Sequence, residues 1–247
     1  MIKKICINTS LIVSFMLVAI TPSQAKSRAE YESDAKAFVQ KVINKIYDAV
    51  QSDVPQDHKE EKFRKALKED FNLPAIAKFT LGAHQKNFYF PDNEKSNKNN
   101  PHFDEFYTRF ERLIVEMYAS QFGAYKDAQK PEIKSAKFIN GGFQVSSVAI
   151  NPKNNNAKVE VIWTAYPKKG GGFEVTDIII AKISLALSQR RQFNSDFRSC
   201  KQKAQRNAKK TTGTNINHEA TACFLKTVAQ AADDYDKGTR TTVEITK

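Results

Sequence analysis

Residues 172–197 read GFEVTDIIIAKISLALSQRRQFNSDF, and they join the two kinds of secondary structure on which the fold depends. The segment Phe173–Ala181 has the β-branched composition of a strand. A short turn follows, and Ile183-Ser184-Leu185 leads into a polar and apolar mixture typical of a helix. The stretch therefore predicts a strand, a turn and a helix in direct succession.

Three more predicted strands precede this one. After Pro131 the apolar residues recur with a period of two, which indicates strands at Ile133–Ile139, Phe143–Ile150 and Lys158–Tyr166. The connections between these strands are short and polar, so consecutive strands pair as antiparallel hairpins. The sequence thus predicts a four-stranded antiparallel meander.

The first half of the chain has the apolar spacing of helices instead, i, i+3, i+4 and i+7. A further helix is expected near the C-terminus, and the predicted helices span Ala29–Ser52, Asp57–Asp70, Asn72–Gly82, Pro101–Tyr125 and His218–Tyr235. Helices followed by a meander predict an α+β fold, in which a curved antiparallel sheet is covered by helices on one face.

The first 25 residues have the composition of a secretory signal peptide. Lys3 and Lys4 form the charged start, Ile12–Ile20 the apolar segment and Ser23-Gln24-Ala25 the small-residue cleavage site. The apolar segment is shorter than the roughly 20 residues of a membrane-spanning helix, and this favours cleavage over an uncleaved anchor. Removal of the first 25 of 247 residues leaves 222 residues, enough for one core, with or without an appendage.

The chain is strongly basic. Its formal net charge is +12, or +10 once Lys3 and Lys4 are removed. This charge favours anionic partners such as membrane headgroups, acidic proteins or nucleic acid. The export signal argues against nucleic acid, so no nucleic-acid partner is expected.

Two cysteines, Cys200 and Cys223, remain after processing. An even number of cysteines in an exported protein predicts a disulfide, and the alternative is two unpaired thiols. A bridge here would close a loop of about two dozen residues and contribute roughly 3 kcal/mol by the loop-entropy relation.

Sequence motifs of catalysis are not found. The four histidines form no metal-binding pair, and the chain has no nucleophile elbow, phosphate-binding loop or C-x-x-C motif, so no metal or cofactor is expected. One carboxylate, Asp177, is predicted to share a sheet face with Phe173, Val175 and Ile179. It could act as a general base with a raised pKa, or accept hydrogen bonds from nearby backbone N–H groups. The second interpretation is favoured because no polar partner for catalysis is evident.

The chain is rich in phenylalanine, with 17 Phe against one Trp. Many lie on the helices that must cover the sheet, opposite apolar residues of the strands. Periodicity alone does not distinguish a filled core from a lined cavity, and it favours the core.

Several motifs, in their order and spacing, resemble the MlaC-like (toluene-tolerance, Ttg-type) periplasmic phospholipid-binding proteins. In residues 172–197 the resemblance lies in Phe173, Asp177, Ile183-Ser184-Leu185 and Arg190 with Phe193. Two earlier regions are also similar: Phe71–Ala77 followed by Thr80-Leu81-Gly82, and the helix with Phe106, Phe110, Leu113 and Tyr118. The similarity extends over Ala29–Phe197. The chain departs from the family in having Phe173 for its usual Trp and Ala181-Lys182 for its Glu-Gly.

The resemblance implies a nuclear-transport-factor-like fold with an apolar cavity between helices and sheet, and a non-enzymatic carrier whose cargo is a glycerophospholipid. It also implies docking with an inner-membrane ABC transporter complex and an outer-membrane lipoprotein complex, in the periplasm of a Gram-negative bacterium. The expected cavity residues are Phe71, Ile76, Phe79, Phe106, Phe110, Leu113, Met117, Val145, Val161, Trp163, Val175, Ile179 and Ile183.

The expected organisation is a signal peptide at 1–25, a lipid-binding domain at 26–199 and a basic extension at 200–247, held to the domain by the Cys200–Cys223 disulfide. The segment Arg198–Lys210 contains no acidic residue. Two interpretations are open: contact with anionic headgroups, at about 1 kcal/mol per cation, or a solvated and partly disordered tail.

Two other functions compete with the carrier hypothesis. One is a small-molecule enzyme of cone-shaped α+β fold with Asp177 as general base. The other is an envelope interaction protein that keeps the fold without a cavity. Retained lipid loading in an Asp177→Asn variant that loses an activity would favour the first, and a pocket smaller than one acyl chain would favour the second.

Overall fold

The computed structural model describes residues 26–88, 101–120, 122, 126–151, 155–209 and 215–240. Two predicted segments lie outside them, the signal peptide at 1–25 and the Asn/Lys-rich loop at 92–100. Within the described ranges, no helix is both long enough and apolar enough to cross a bilayer.

Six α-helices occur in the described residues, close to the predicted positions. They are α1 (Arg28–Gln51), α2 (Gln56–Asp70), α3 (Leu73–Leu81), α4 (Pro101–Ala119), α5 (Leu185–Ala208) and α6 (Ile216–Asp236). Short polar side chains cap four of them. Ser27 and Glu30 form a capping box at α1, and Asn72, Ser184 and Asn215 each accept a hydrogen bond from a first-turn N–H group.

The sheet is an antiparallel meander whose spatial order follows the sequence, as predicted. Its strands are β1 (Glu132–Ile139), β2 (Gly142–Asn151), β3 (Ala157–Pro167), β4 (Phe173–Ile180) and β5 (Ile183–Ser184). The predicted number of four strands is therefore corrected to five among the described residues.

The fifth strand exists because the chain reverses direction in only two residues. Ala181 and Lys182 both have positive φ, 49° and 70°. That is the backbone of a tight hairpin turn, which pairs Ile180 with Ile183 and Ile179 with Ser184. Such turns normally contain Asn or Gly, so Ala-Lys gives no sequence signal for one.

A bulge in β4 changes which residues face the core. Thr164 pairs with Asp177 and Ala165 with Val175, so Thr176 is an extra residue on this strand. Beyond the bulge, Ile178 lies opposite the buried Trp163, and Ile179 lies on the other face. The predicted alternation that grouped Asp177 and Ile179 with Val175 is therefore wrong.

The buried apolar residues form two clusters. The first core cluster lies between the sheet and helices α1, α2 and α4, and it includes Val39, Ile43, Phe63, Leu67, Phe71, Val115, Phe143, Val145, Val161, Trp163, Phe173 and Val175. The second core cluster joins α3, α4, α5 and α6, and it includes Leu81, Phe88, Phe106, Phe110, Leu113, Phe193, Phe197, Phe224, Leu225 and Val228. Helix α4 contributes to both clusters and so lies between them.

Ion pairs hold α4 to the helices beside it. The buried carboxylate of Glu111 accepts from Arg64 and Lys68 of α2, each at 3.0 Å. On the other side, Arg112 pairs with Asp233 of α6 at 2.7 Å. Helix α4 is therefore held by ion pairs to the helices on both of its sides.

The C-terminal segment continues the fold without a break. Helix α5 runs through the domain boundary that was predicted at residue 199, and α6 packs on α4 and α5 through Phe224 and Val228. The predicted Cys200–Cys223 disulfide is confirmed, with 5.6 Å between the two Cα atoms. The residues 198–209, for which a disordered tail was one interpretation, form the end of a helix.

Glu116 on α4 gives a pH-dependent prediction. Burial raises the pKa of its carboxyl, and the charges of Glu60 and Asp236 add to the rise. The folded state therefore favours the protonated form of Glu116. At neutral pH, where the carboxylate is ionised, Glu116 lowers the free energy of unfolding. We expect Glu116→Gln to increase the free energy of unfolding at neutral pH.

The increase should disappear below the ordinary glutamate pKa of about 4.3, where Glu116 is protonated in both the folded and unfolded states. Urea unfolding at neutral pH and at a pH below about 4.3 measures this change in the free energy of unfolding. The matched control is Glu61→Gln, at an exposed glutamate of α2, which should show no pH-dependent difference. An equal gain for Glu116→Gln at both pH values would contradict the assignment.

Candidate functional site

Most predicted cavity residues lie in or next to the two core clusters, and we call the region between these clusters the seam. Three partly buried side chains, Ile76 of α3 with Tyr107 and Ile114 of α4, pack against both clusters at once. From the sheet, Ile178 and Ile180 pack against the first cluster and keep accessible surface. The helix side of the seam is therefore apolar apart from the Tyr107 hydroxyl.

Tyr118, one turn after Ile114, has unusual surroundings. Burial raises the pKa of its hydroxyl, and the charge of Asp177 adds to the rise. The side chain nevertheless retains accessible surface, and no described residue forms a hydrogen bond with its hydroxyl. Tyr118 thus packs against the first core cluster and keeps part of its surface accessible.

Tyr107, about three turns earlier on α4, is similar. Burial raises the pKa of its hydroxyl, with a further contribution from the charge of Glu111. In the described part of the chain its hydroxyl likewise has no hydrogen-bond partner. The seam thus contains the hydroxyl group of Tyr107 among apolar side chains.

Nine of the thirteen predicted cavity residues belong to one of the two clusters or pack against one cluster alone, but they do not form one group. Those of the first cluster are Phe71, Val145, Val161, Trp163 and Val175. Those of the second cluster are Phe106, Phe110 and Leu113, with Met117 packed against it. The structure therefore places them on both sides of the seam rather than around one shared centre.

Among the other four residues, Ile76 borders both clusters and three lie apart. Phe79 and Ile183 are exposed, and Ile179 lies on the opposite face of the sheet. Ile183 belongs to β5, which periodicity did not predict, and Ile179 follows the bulge.

The aromatic stripe of α4 was predicted as one face, but the structure divides it. Phe106, Phe110 and Leu113 point to the second cluster, whereas Val115 points to the first. A stripe much wider than about 100° signals a helix buried on two sides. That signal could have identified Tyr107 and Ile114 as residues of the seam.

Asp177 has a structural role. Its Oδ1 accepts a hydrogen bond from the backbone N–H of Ala186 at 3.0 Å, in the first turn of α5. Ser184 caps the same turn by accepting from Leu187 at 3.0 Å. A carboxylate at a helix N-terminus satisfies an unpaired N–H group and the helix dipole. No cluster of metal-ligating side chains occurs among the described residues.

Two surface depressions lie elsewhere, along α6. The first is lined by residues of α6 together with Arg240, and the second lies between α4 and α6 beside Arg109 and His218. Neither is lined by a predicted cavity residue, and polar and charged side chains form much of the lining of both, so neither is the expected apolar cavity.

Comparison with known proteins agrees with this arrangement. No curated protein matches the sequence. The solved structure of a phospholipid-binding protein from Ralstonia solanacearum, in complex with a phospholipid, is similar at 13% sequence identity and a TM-score of 0.58. The similarity covers 82% of this chain and 99% of that one, and at this identity it shows the fold. The profile of the MlaC protein family matches residues 36–204, more than half of the chain. The chain therefore belongs to the MlaC protein family.

Proposed function

We propose that the protein is a periplasmic phospholipid carrier that holds acyl chains in the seam between the two core clusters and performs no chemistry. The proposal rests on three half-buried side chains that pack against both clusters: Ile76, Tyr107 and Ile114. Their remaining accessible surface lies between two apolar clusters, where an acyl chain would be shielded from water. The family and the phospholipid-bound neighbour support the same cargo.

The seam has the chemistry that such cargo needs. Each CH₂ group buried from water contributes about 0.8 kcal/mol, so an acyl chain leaves a bilayer at a useful rate only when an apolar enclosure replaces it. Ile76, Ile114 and Ile178 provide apolar walls. The hydroxyl groups of Tyr107 and Tyr118 would donate hydrogen bonds to the ester oxygens, at the glycerol end of the acyl chains.

Energy and direction of transport would come from other proteins. We propose docking with an inner-membrane ABC transporter complex and an outer-membrane lipoprotein complex, from the family to which the chain belongs. The hydrogen bond from Ala186 to Asp177 gives that carboxylate a structural task and favours the carrier over an enzyme with Asp177 as base.

Native mass spectrometry of protein purified without detergent tests the proposal. The wild-type protein should carry glycerophospholipid and extract it from liposomes. Ile114→Arg places a charge in the seam and should reduce the loaded fraction at least about tenfold, because a charge without a partner is strongly disfavoured in an apolar site. Ile114→Phe, which adds volume without charge, should reduce loading less.

The matched control is Ile162→Arg. Ile162 is also half-buried, but it lies on the face of the sheet away from the first core cluster, where it pairs with Ile179 of the neighbouring strand. This variant should load like the wild type, and circular dichroism shows whether each variant is folded. Wild-type protein that neither carries nor extracts lipid would overturn the proposal, as would normal loading of a folded Ile114→Arg variant.

A further inference from the structure

Helix α5 has a concentration of positive charge that the rest of the fold does not neutralise. Its exposed basic residues are Arg191, Arg198, Lys201, Lys203 and Arg206, with Lys209 at its C-cap. None of them forms an ion pair with another described residue. The one acidic side chain of the helix, Asp196, accepts a hydrogen bond from Gln192.

Four exposed residues of α5 fall on one line. At about 100° per residue, Leu187, Arg191, Arg198 and Lys209 lie within roughly 40° of one another around the helix axis. Phe193, Phe197, Cys200 and Ala204 occupy the opposite, buried side. We call Leu187, Arg191, Arg198 and Lys209 the outer stripe, and at about 1.5 Å per residue it is about 33 Å long.

The N-terminal end of the stripe is apolar and exposed. Phe79 is 42% exposed, Ile183 39% and Leu187 38%, which makes them three of the five exposed large apolar residues in the described ranges. The guanidinium of Arg190 lies 5.0 Å from the Phe79 ring centre and so links α3 to α5 at this end. These exposed apolar side chains thus lie at the end of α5 from which the basic residues of the outer stripe continue.

The turn beside them is strained. Ala181 and Lys182 both have positive φ, in a region that residues with a Cβ atom rarely adopt. Lys182 is exposed at this turn, next to Ile183. The turn therefore places a cation beside the apolar end of the outer stripe.

We infer that the outer stripe, with Phe79, Lys182 and Ile183 at its apolar end, docks on the surface of an anionic bilayer. Apolar side chains flanked by Lys and Arg along one helix face are the pattern of helices that lie in a membrane interface. The cations of the outer stripe, which are spread over about 27 Å with no acidic residue on the stripe, match a continuous anionic surface. This docking site goes beyond the proposed cargo function, and its measurement does not depend on lipid loading.

Cosedimentation of the full mature protein with vesicles tests the inference, using phosphatidylcholine alone or mixed with phosphatidylglycerol. Binding to the mixed vesicles should be strong at low salt and weaker at about 0.15 M. The triple variant R191E/R198E/K209E should bind them at least about a hundredfold more weakly, since each cation contributes about a fivefold factor. Leu187→Gln should weaken binding at both salt concentrations, because the apolar contact is not screened.

The matched control, K36E/K62E/K137E, makes the same change of net charge at exposed lysines of α1, α2 and β1. It should retain binding within about fivefold of the wild type if location rather than net charge matters. Equal loss in the two triple variants, equal binding to both kinds of vesicle, or wild-type binding by the R191E/R198E/K209E variant would each overturn the inference. The last result would leave a protein partner as the occupant of this face. Native mass spectrometry of the same variants reports lipid loading separately, so failure of docking and failure of the carrier proposal are distinguishable.

Discussion

Phe224→Ala is expected to lower the free energy of unfolding by about 3–5 kcal/mol. Phe224 is fully buried and reaches from α6 into the centre of the second core cluster. Its ring lies between 5.3 and 6.0 Å from four other aromatic rings, those of Phe88, Phe106, Phe193 and Phe197. Truncation leaves a cavity that these large rings cannot fill by small movements.

The result bears on function because α6 begins at residue 216, after the family match ends at residue 204. A large loss of stability would show that α6 is part of the body that encloses the seam. Urea unfolding followed by circular dichroism measures it. Phe138→Ala, at a phenylalanine that is 42% exposed, is the control and should cost less than about 1.5 kcal/mol. A cost below about 1 kcal/mol for Phe224→Ala would mean that α6 is not integral to the core.

Removal of the disulfide is the second large effect that we expect. In the C200S/C223S variant the free energy of unfolding should fall by roughly 3 kcal/mol, because the bridge closes a loop with a sequence separation of 23 residues. Cys200 lies on the buried side of α5 and Cys223 precedes Phe224 on α6, so the bridge ties these two helices together.

Denaturant unfolding with and without reductant checks this expectation. The wild-type protein in reductant should approach the stability of the C200S/C223S variant, and that variant should not respond to reductant. Equal stability of the wild type in both conditions would contradict it. Because the bridge and Phe224 stabilise the same helix pair, the combined C200S/C223S/F224A variant should depart from additivity.

Local sequence patterns predicted most secondary structure correctly because those elements obey a simple period. The strands around Val145 and Trp163 alternate cleanly, and their register in the structure has no bulge. The capped helices α1 and α3 begin close to where Ser27 and Asn72 indicate. The disulfide followed from the even number of cysteines that would remain after removal of the predicted signal peptide.

The candidate site was less predictable because two backbone irregularities lie within residues 172–197. One extra residue, Thr176, reverses the faces of Ile178 and Ile179. A two-residue turn at Ala181-Lys182 adds β5 and leaves Ile183 exposed. Both depend on how β4 pairs with its neighbours, and neither changes the composition on which period analysis relies.

By itself, the sequence determined the order of helices and strands, the α+β class, the family resemblance and the pairing of Cys200 with Cys223. Only the tertiary structure decided that α4 is buried on two sides, that the apolar residues divide into two clusters, and that Ile76, Tyr107 and Ile114 lie between them. The physical reason is that local periodicity reports which side chains avoid water. It does not report which elements they meet, since that depends on contacts between residues far apart in the chain.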